Sequence, residues 1–408
     1  MTIRLRLALG ICAATVVVAP LVAQQRGQGA AAAGGTVARY DMRAGTVSGM
    51  GGMGRGAGAV MGMMMGGGRA AAAQHELQLR LGSNQSPRGA AKADHFMPPA
   101  ARLGKSVALV TPREEREADI LPQKPRGRLL IYWGCGERAG RGQPVVIDFA
   151  RLASGQAPPG LWTTSIPRDR GPSLQNSRTF GRWPADDGKT VKAESSLLGA
   201  HRVVSTYAPD IAFTATRDFM APLRVNSSTL PGGASLVRWT GIPDATGYLV
   251  GMFGGKQGAG GEMGDMVMWT SSATRQFGGG LADWLSPAQV APLVRDRTLL
   301  APAVATCTVP IEVIRDAADF RVGTLTAFGP EETFSYPPRP AGASAHWSPE
   351  WIARIRHRST TSWMQAQGMS MGANEGDGSG ARRQGDCRPR GGGLGGLIGG
   401  ALGGGKGC

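Results

Sequence analysis

Glycine supplies 64 of the 408 residues, roughly twice ordinary usage, and it is concentrated toward the two ends of the chain, which limits the part able to build a core. A run of Gly, Ala and Met with scattered Arg buries too little apolar surface to offset the cost of ordering its backbone. Residues 24–102 are therefore expected to form a disordered Gly/Ala/Met-rich leader, with at most a short alanine-rich helix over 69–81, and residues 363–408 a disordered tail. Roughly 260 residues remain between them, a length that suits two small domains, placed at 103–224 and 225–362.

Apolar runs within that middle are short and end at Gly, Pro, Asp or Asn, the pattern of strands and turns. In the first domain the runs are 107–110, 128–133 (Arg-Leu-Leu-Ile-Tyr-Trp), 144–149, 161–166, 202–207 and 211–216. In the second they are 235–239, 248–253, 266–269, 306–314, 320–328 and 351–359, with 243–247 as a turn that pairs 235–239 with 248–253. One helical stretch, 281–295, carries Ser286 and Pro287 where an N-cap and first helical residue belong. Many short strands without interleaved long helices predict an all-β fold of two antiparallel β-sandwich domains.

The last run has a clean period of two. Trp351, Ala353 and Ile355 share one face, while Ile352, Arg354, Arg356 and Arg358 share the other. Arg354, Arg356 and Arg358 are thus candidates for binding an anionic surface, and a charged edge strand guarded against aggregation gives the same pattern.

Arg4 and Arg6 precede an apolar stretch over 7–18 and a small-residue site at 21–23, so residues 1–23 are read as a cleaved signal peptide. Without them the chain keeps 43 basic against 29 acidic residues, a formal charge of +14. An exported cation of this size is drawn to anionic envelope polymers and headgroups. No basic stretch interleaved with aromatics argues for nucleic acid. Cys135, Cys307, Cys387 and Cys408 are disulfide candidates in an oxidising compartment, with all three pairings open.

Motifs with local chemistry are few. Gly188-Lys189-Thr190 and Gly104-Lys105-Ser106 lack the earlier glycine of a phosphate-binding loop, with Trp183 and Pro99 in its place. The histidines are scattered, and His201 reads as a structural residue opening a strand. No catalytic or cofactor-binding residues are assigned, and an envelope-polymer hydrolase ranks last because no nucleophile with its base is visible. Met61, Met63, Met64 and Met65, with His75 nearby, are the one metal hint, since thioethers favour Cu(I).

Leu236-x-x-Trp239, then Pro243-x-Ala245-x-x-Tyr248-x-Val250, resembles the second and third strands of fibronectin type III domains, which implies Trp239 and Tyr248 in the core of a sandwich. Residues 391–405 resemble the glycine-zipper segments of bacterial envelope proteins, which implies close helix approach or peripheral membrane contact. The stretches 129–137, 336–340 and 356–359 are similar to an uncharacterised family of exported proteobacterial proteins, which implies a secreted or periplasmic location. Together these readings predict a non-enzymatic envelope protein whose partner is an envelope protein or an anionic surface polymer, with a periplasmic copper-binding protein as the alternative.

Overall fold

Alternation of buried and polar side chains begins at Ala38, well inside the stretch expected to be a spacer, in a computed structural model that describes residues 35–50, 73–112, 127–154, 156, 163, 166, 171–185, 188–257, 263–278, 280–344, 347–366 and 369–371. Strand occupies 45% of the described residues and helix 8%, so the fold is all-β. The strands are β1 (Ala38–Gly49), β2 (Gln74–Ser83), β3 (Ala93–Phe96), β4 (Ser106–Ala108), β5 (Arg128–Trp133), β6 (Val145–Asp148), β7 (Thr179–Trp183), β8 (Gly199–Ser205) and β9 (Ile211–Ala215). They continue with β10 (Val225–Thr229), β11 (Ser235–Trp239), β12 (Gly247–Gln257), β13 (Met263–Thr270), β14 (Thr306–Val309), β15 (Phe320–Tyr336), β16 (Trp351–Ala366) and β17 (Met369–Met371). Among the described residues three short α-helices and one 3-10 turn (Pro99–Ala101) join them: α1 (Phe149–Ala153), α2 (Pro287–Arg295) and α3 (Ile311–Asp316).

One large sheet organises the molecule, in the order β6-β5-β13-β12-β15-β16-β1-β2-β7, with β17 added on β16. It is mixed: β1 runs parallel to β16 and β5 parallel to β13, while its other neighbours are antiparallel. Two smaller sheets, β4-β3-β8-β9 and β10-β11-β14, lie over one face of it. Tyr40, Met42, Leu79, Leu81 and Ile355 pack against Val107, Val203, Ile211 and Phe213 in the first core. Tyr248, Val250, Trp269, Leu325 and Trp363 pack against Val237, Trp239 and Val309 in the second. Ile355 and Trp363 stand an even number of residues apart on β16, so both cores use the same face of the large sheet. Each fully buried aliphatic or aromatic side chain there contributes about 1.5–3 kcal/mol. On the opposite face, Leu129, Ile131 and Met266 pack with Phe149 and Phe277, and Phe328 packs with Leu281, Leu285, Val290 and Leu299 around α2.

Several expectations are corrected. The leader over 24–102 contains β1, β2 and β3, and the helix over 69–81 is replaced by β2. Leu77, Leu79 and Leu81 alternate with Gln78 and Arg80, a period of two that the preceding alanines obscure. The division at 224 does not divide the large sheet, which takes β1, β2, β5, β6 and β7 from one side of it and β12, β13, β15 and β16 from the other. Strands β11 and β12 are not a hairpin. They belong to different sheets, and Trp239 meets Tyr248 across the core with ring centroids 5.6 Å apart. The run 306–314 breaks at Pro310, which has no N–H for a ladder, and continues as α3. β16 is an inner strand between β15 and β1, not an edge. The helix start is as its residues predict: the Ser286 hydroxyl accepts from Gln289 N and the Gln289 side chain accepts from Ser286 N, a capping box with Pro287 at the first turn.

Candidate functional site

Charged side chains gather on the back of the large sheet, opposite the two main cores. β1 sends Tyr40 and Met42 into the first core, so Arg39, Asp41 and Arg43 project the other way. The same alternation on β16 turns Arg354, Arg356 and Arg358 toward that side, and Arg80 and Arg182 follow from β2 and β7. Strand register aligns these residues in rows. Arg182, Arg80, Asp41 and Arg354 form one row across four strands, and Gln78, Arg43, Arg356 and Glu331 form the next. Among the described residues, seven arginines thus face three carboxylates, Asp41, Glu76 and Glu331.

The three arginines singled out by sequence are brought together, but not as a free ridge. Arg354 donates from Nε and Nη2 to the two oxygens of Asp41 at 3.0 Å each. Arg356, only 2% exposed, donates to Asp41 Oδ2 at 2.8 Å and to the Trp284 carbonyl at 2.6 Å. A surface-binding role for Arg356 is therefore overturned, because its guanidinium is needed inside. Arg358 pairs with Glu76 at 3.0 Å and lies 4.0 Å over the Trp284 ring. Glu76 reaches it by crossing β1 at Gly45, where any Cβ would collide with the Glu76 side chain. Arg354 keeps 31% of its side chain in solvent, and Arg39 and Arg182 are exposed.

In front of β1, a chain of buried polar groups crosses the first core. Tyr40 Oη lies 2.6 Å from His95 Nδ1, His95 Nε2 lies 3.0 Å from His201 Nδ1, and His201 Nε2 lies 2.7 Å from the Leu197 carbonyl. A carbonyl only accepts, so His201 carries its proton on Nε2, His95 donates from Nε2, and Tyr40 donates to His95. Burial, then the neighbouring His201, holds His95 well below its ordinary pKa; burial also lowers His201 and pushes the Tyr40 hydroxyl up. A pocket of about 420 Å³ opens beside His201, lined also by Phe96, Met97, Arg202 and Phe213. Both ring nitrogens of His201 are already engaged, which fits the structural reading of this residue.

Between the two small sheets, residues 216–224 cross the large sheet as a strap. Thr46 donates to the Met220 carbonyl and Ser48 to the Leu223 carbonyl, at 2.7 and 2.9 Å. Glu332 anchors the strap by accepting from Thr216 N, Thr216 Oγ1 and Arg217 N. Burial alone would raise the Glu332 pKa; neighbouring His357, then the Thr216 hydroxyl and amide, hold it down at about 2.

Cys135, exposed in the turn after β5, is disulfide-bonded to buried Cys307 on β14, with Cα atoms 5.3 Å apart across 172 residues. That pairing was one of three open from sequence. Cys387 and Cys408, the four methionines at 61 and 63–65, and residues 391–405 lie outside the described residues. His75, noted beside those methionines, stacks on Phe219 at 3.9 Å and shares a hydrogen bond with Thr46. Among the described residues no group of three or more His, Cys, Asp or Glu could hold a metal ion, and no helix is long and apolar enough to cross a membrane. The two Gly-Lys turns lie side by side, Lys189 Nζ donating to the Ser106 carbonyl at 2.8 Å.

Sequence reasoning missed Asp41, Glu76 and Trp284. The alternation Arg39-Tyr40-Asp41-Met42-Arg43 was the available signal for the first. No protein-family model, curated protein or solved structure matches this chain.

Proposed function

We propose that this protein is an exported, non-enzymatic component of the cell envelope that holds an anionic envelope component through its cationic surface. The observation that carries the reading is the Cys135–Cys307 disulfide, a bond that persists in oxidising compartments and is rare in reducing ones. It agrees with the signal-like first 23 residues, and the formal charge of +14 on the remainder supplies the attraction. The side chains with the strongest perturbations, Tyr40 and His95, are hydrogen-bonded to one another within the core, which supports a structural role for them.

Fractionation of cells making the full chain tests this. The expected result is recovery with the envelope, release by high salt, and Cys135 and Cys307 protected from alkylation until reductant is added. Recovery in the cytosol with both cysteines alkylatable overturns it.

A further inference from the structure

We infer that the arginine rows on the back of the large sheet form a binding face for a linear acidic polysaccharide, an inference that rests on the envelope reading and names its site. Sequence offered one strand of arginines; the fold sets four strands of them side by side. Adjacent strands are about 4.8 Å apart and alternate residues about 6.8 Å apart along a strand, so the row from Arg182 through Arg80 to Arg354 spans roughly 14 Å, with Arg182 and part of Arg354 open to solvent and half-buried Arg80 between them donating to the Pro172 carbonyl. Asp41 already shows what the row recognises, since Arg354 grips its carboxylate with two parallel hydrogen bonds.

Among the described residues, carboxylates do not balance the face. Seven arginines stand against Asp41, Glu76 and Glu331, with Asp283 on the covering segment, and the surplus lies toward the end where Arg39, Arg182 and part of Arg354 meet solvent. The opposite end is closed by Trp284, whose carbonyl and ring are taken by Arg356 and Arg358. A sheet face with one open end fits an extended polymer lying across the strands.

Two other polyanion classes fit less well. Single-stranded nucleic acid needs exposed aromatic faces for its bases, and the one tryptophan at these rows is 4% exposed. A lipid surface rewards a cluster of exposed apolar side chains, and of the large ones exposed here only Val110, bridged to Arg182, stands in line with the rows.

Binding of the purified full chain to alginate tests the inference, with dextran sulfate, a DNA oligonucleotide and phosphatidylglycerol vesicles as competitors. Arg39 and Arg182 are exposed, so R39Q/R182Q leaves the fold intact, and R238Q/R295Q, at exposed positions on β11 and the end of α2, removes equal charge elsewhere. The expected result is about tenfold weaker alginate binding for R39Q/R182Q, a slope of log affinity against log salt reduced by about two, and little change for R238Q/R295Q. Equal loss in the two variants, or tighter binding of DNA or vesicles that R39Q/R182Q abolishes, overturns it. Cytosolic recovery of the cell-made protein would instead defeat the envelope reading, so the two failures are distinguishable.

Discussion

The two cores on the front of the large sheet are secured by different means. Beneath β10-β11-β14 a covalent bond ties the small sheet, through Cys307, to the turn after β5. Beneath β4-β3-β8-β9 the ties are polar: the Tyr40-His95-His201 chain inside and the Asp41 ion pairs behind it. One region should therefore answer to redox conditions and the other to protons and to loss of a buried partner.

Removing the disulfide has the largest expected effect. Opening a link across 172 residues frees about 5 kcal/mol of chain entropy in the denatured state on the loop-closure account. C135A/C307A should lower the denaturant midpoint sharply and accelerate amide exchange in β10, β11 and β14 before β3 and β8. Equal acceleration in both small sheets would show that the shared sheet makes the cores one cooperative unit and would break the contrast.

Next is Asp41→Asn. It leaves Arg356 buried without its carboxylate, and breaking a buried pair from one side costs about 3–5 kcal/mol. Urea denaturation should show that loss, and a change below about 1 kcal/mol would mean that Trp284 and solvent satisfy Arg356 alone.

Acid should act selectively on the first core. The His95 and His201 pKa values are lowered on folding, so the unfolded chain binds protons that the folded chain refuses. Stability is then retained above the ordinary histidine value and falls as pH drops below about 6.5, by up to about 1.4 kcal/mol per pH unit for each ring, until the folded rings protonate. Glu332 adds a separate loss at lower pH, between the ordinary carboxylate range and its folded value of about 2. Denaturation measured across this range should lose first the protection of β3 and β8; a flat profile between about pH 7 and 5 would exclude the histidines as the cause.

The smallest effect belongs to Tyr40→Phe, which deletes the donor to His95 Nδ1 and leaves an unsatisfied buried acceptor. It should cost about 1–3 kcal/mol and weaken the acid sensitivity, because the lost donor favoured the neutral ring, with no effect on the C135A/C307A difference.

Strands whose two faces differ simply, such as β5, β9 and β11, were legible because branched and aromatic residues end at turn formers. β1 was not, because Asp41 looks like a surface residue until Arg354 and Arg356, more than 300 positions later, make its burial tolerable. The same blindness placed β16 at an edge: its arginines suit solvent in isolation, and only a facing carboxylate on β1 permits them in the middle of a sheet. The candidate face was legible as a period of two on one strand. Its extent was not, since rows across β7, β2, β1 and β16 exist only once register is set.

β16 also decides when the molecule can be finished. It alone joins β15 on one side to β1 on the other, so without it the large sheet is two separate pieces, β7-β2-β1 and β6-β5-β13-β12-β15. A chain emerging from its N-terminus carries β1 for some three hundred residues with one long flank open before its partner β16 is made. The two pieces of the sheet are thus joined only once a strand 313 residues beyond the start of β1 has been made, so closure of the sheet is an intrinsically long-range event.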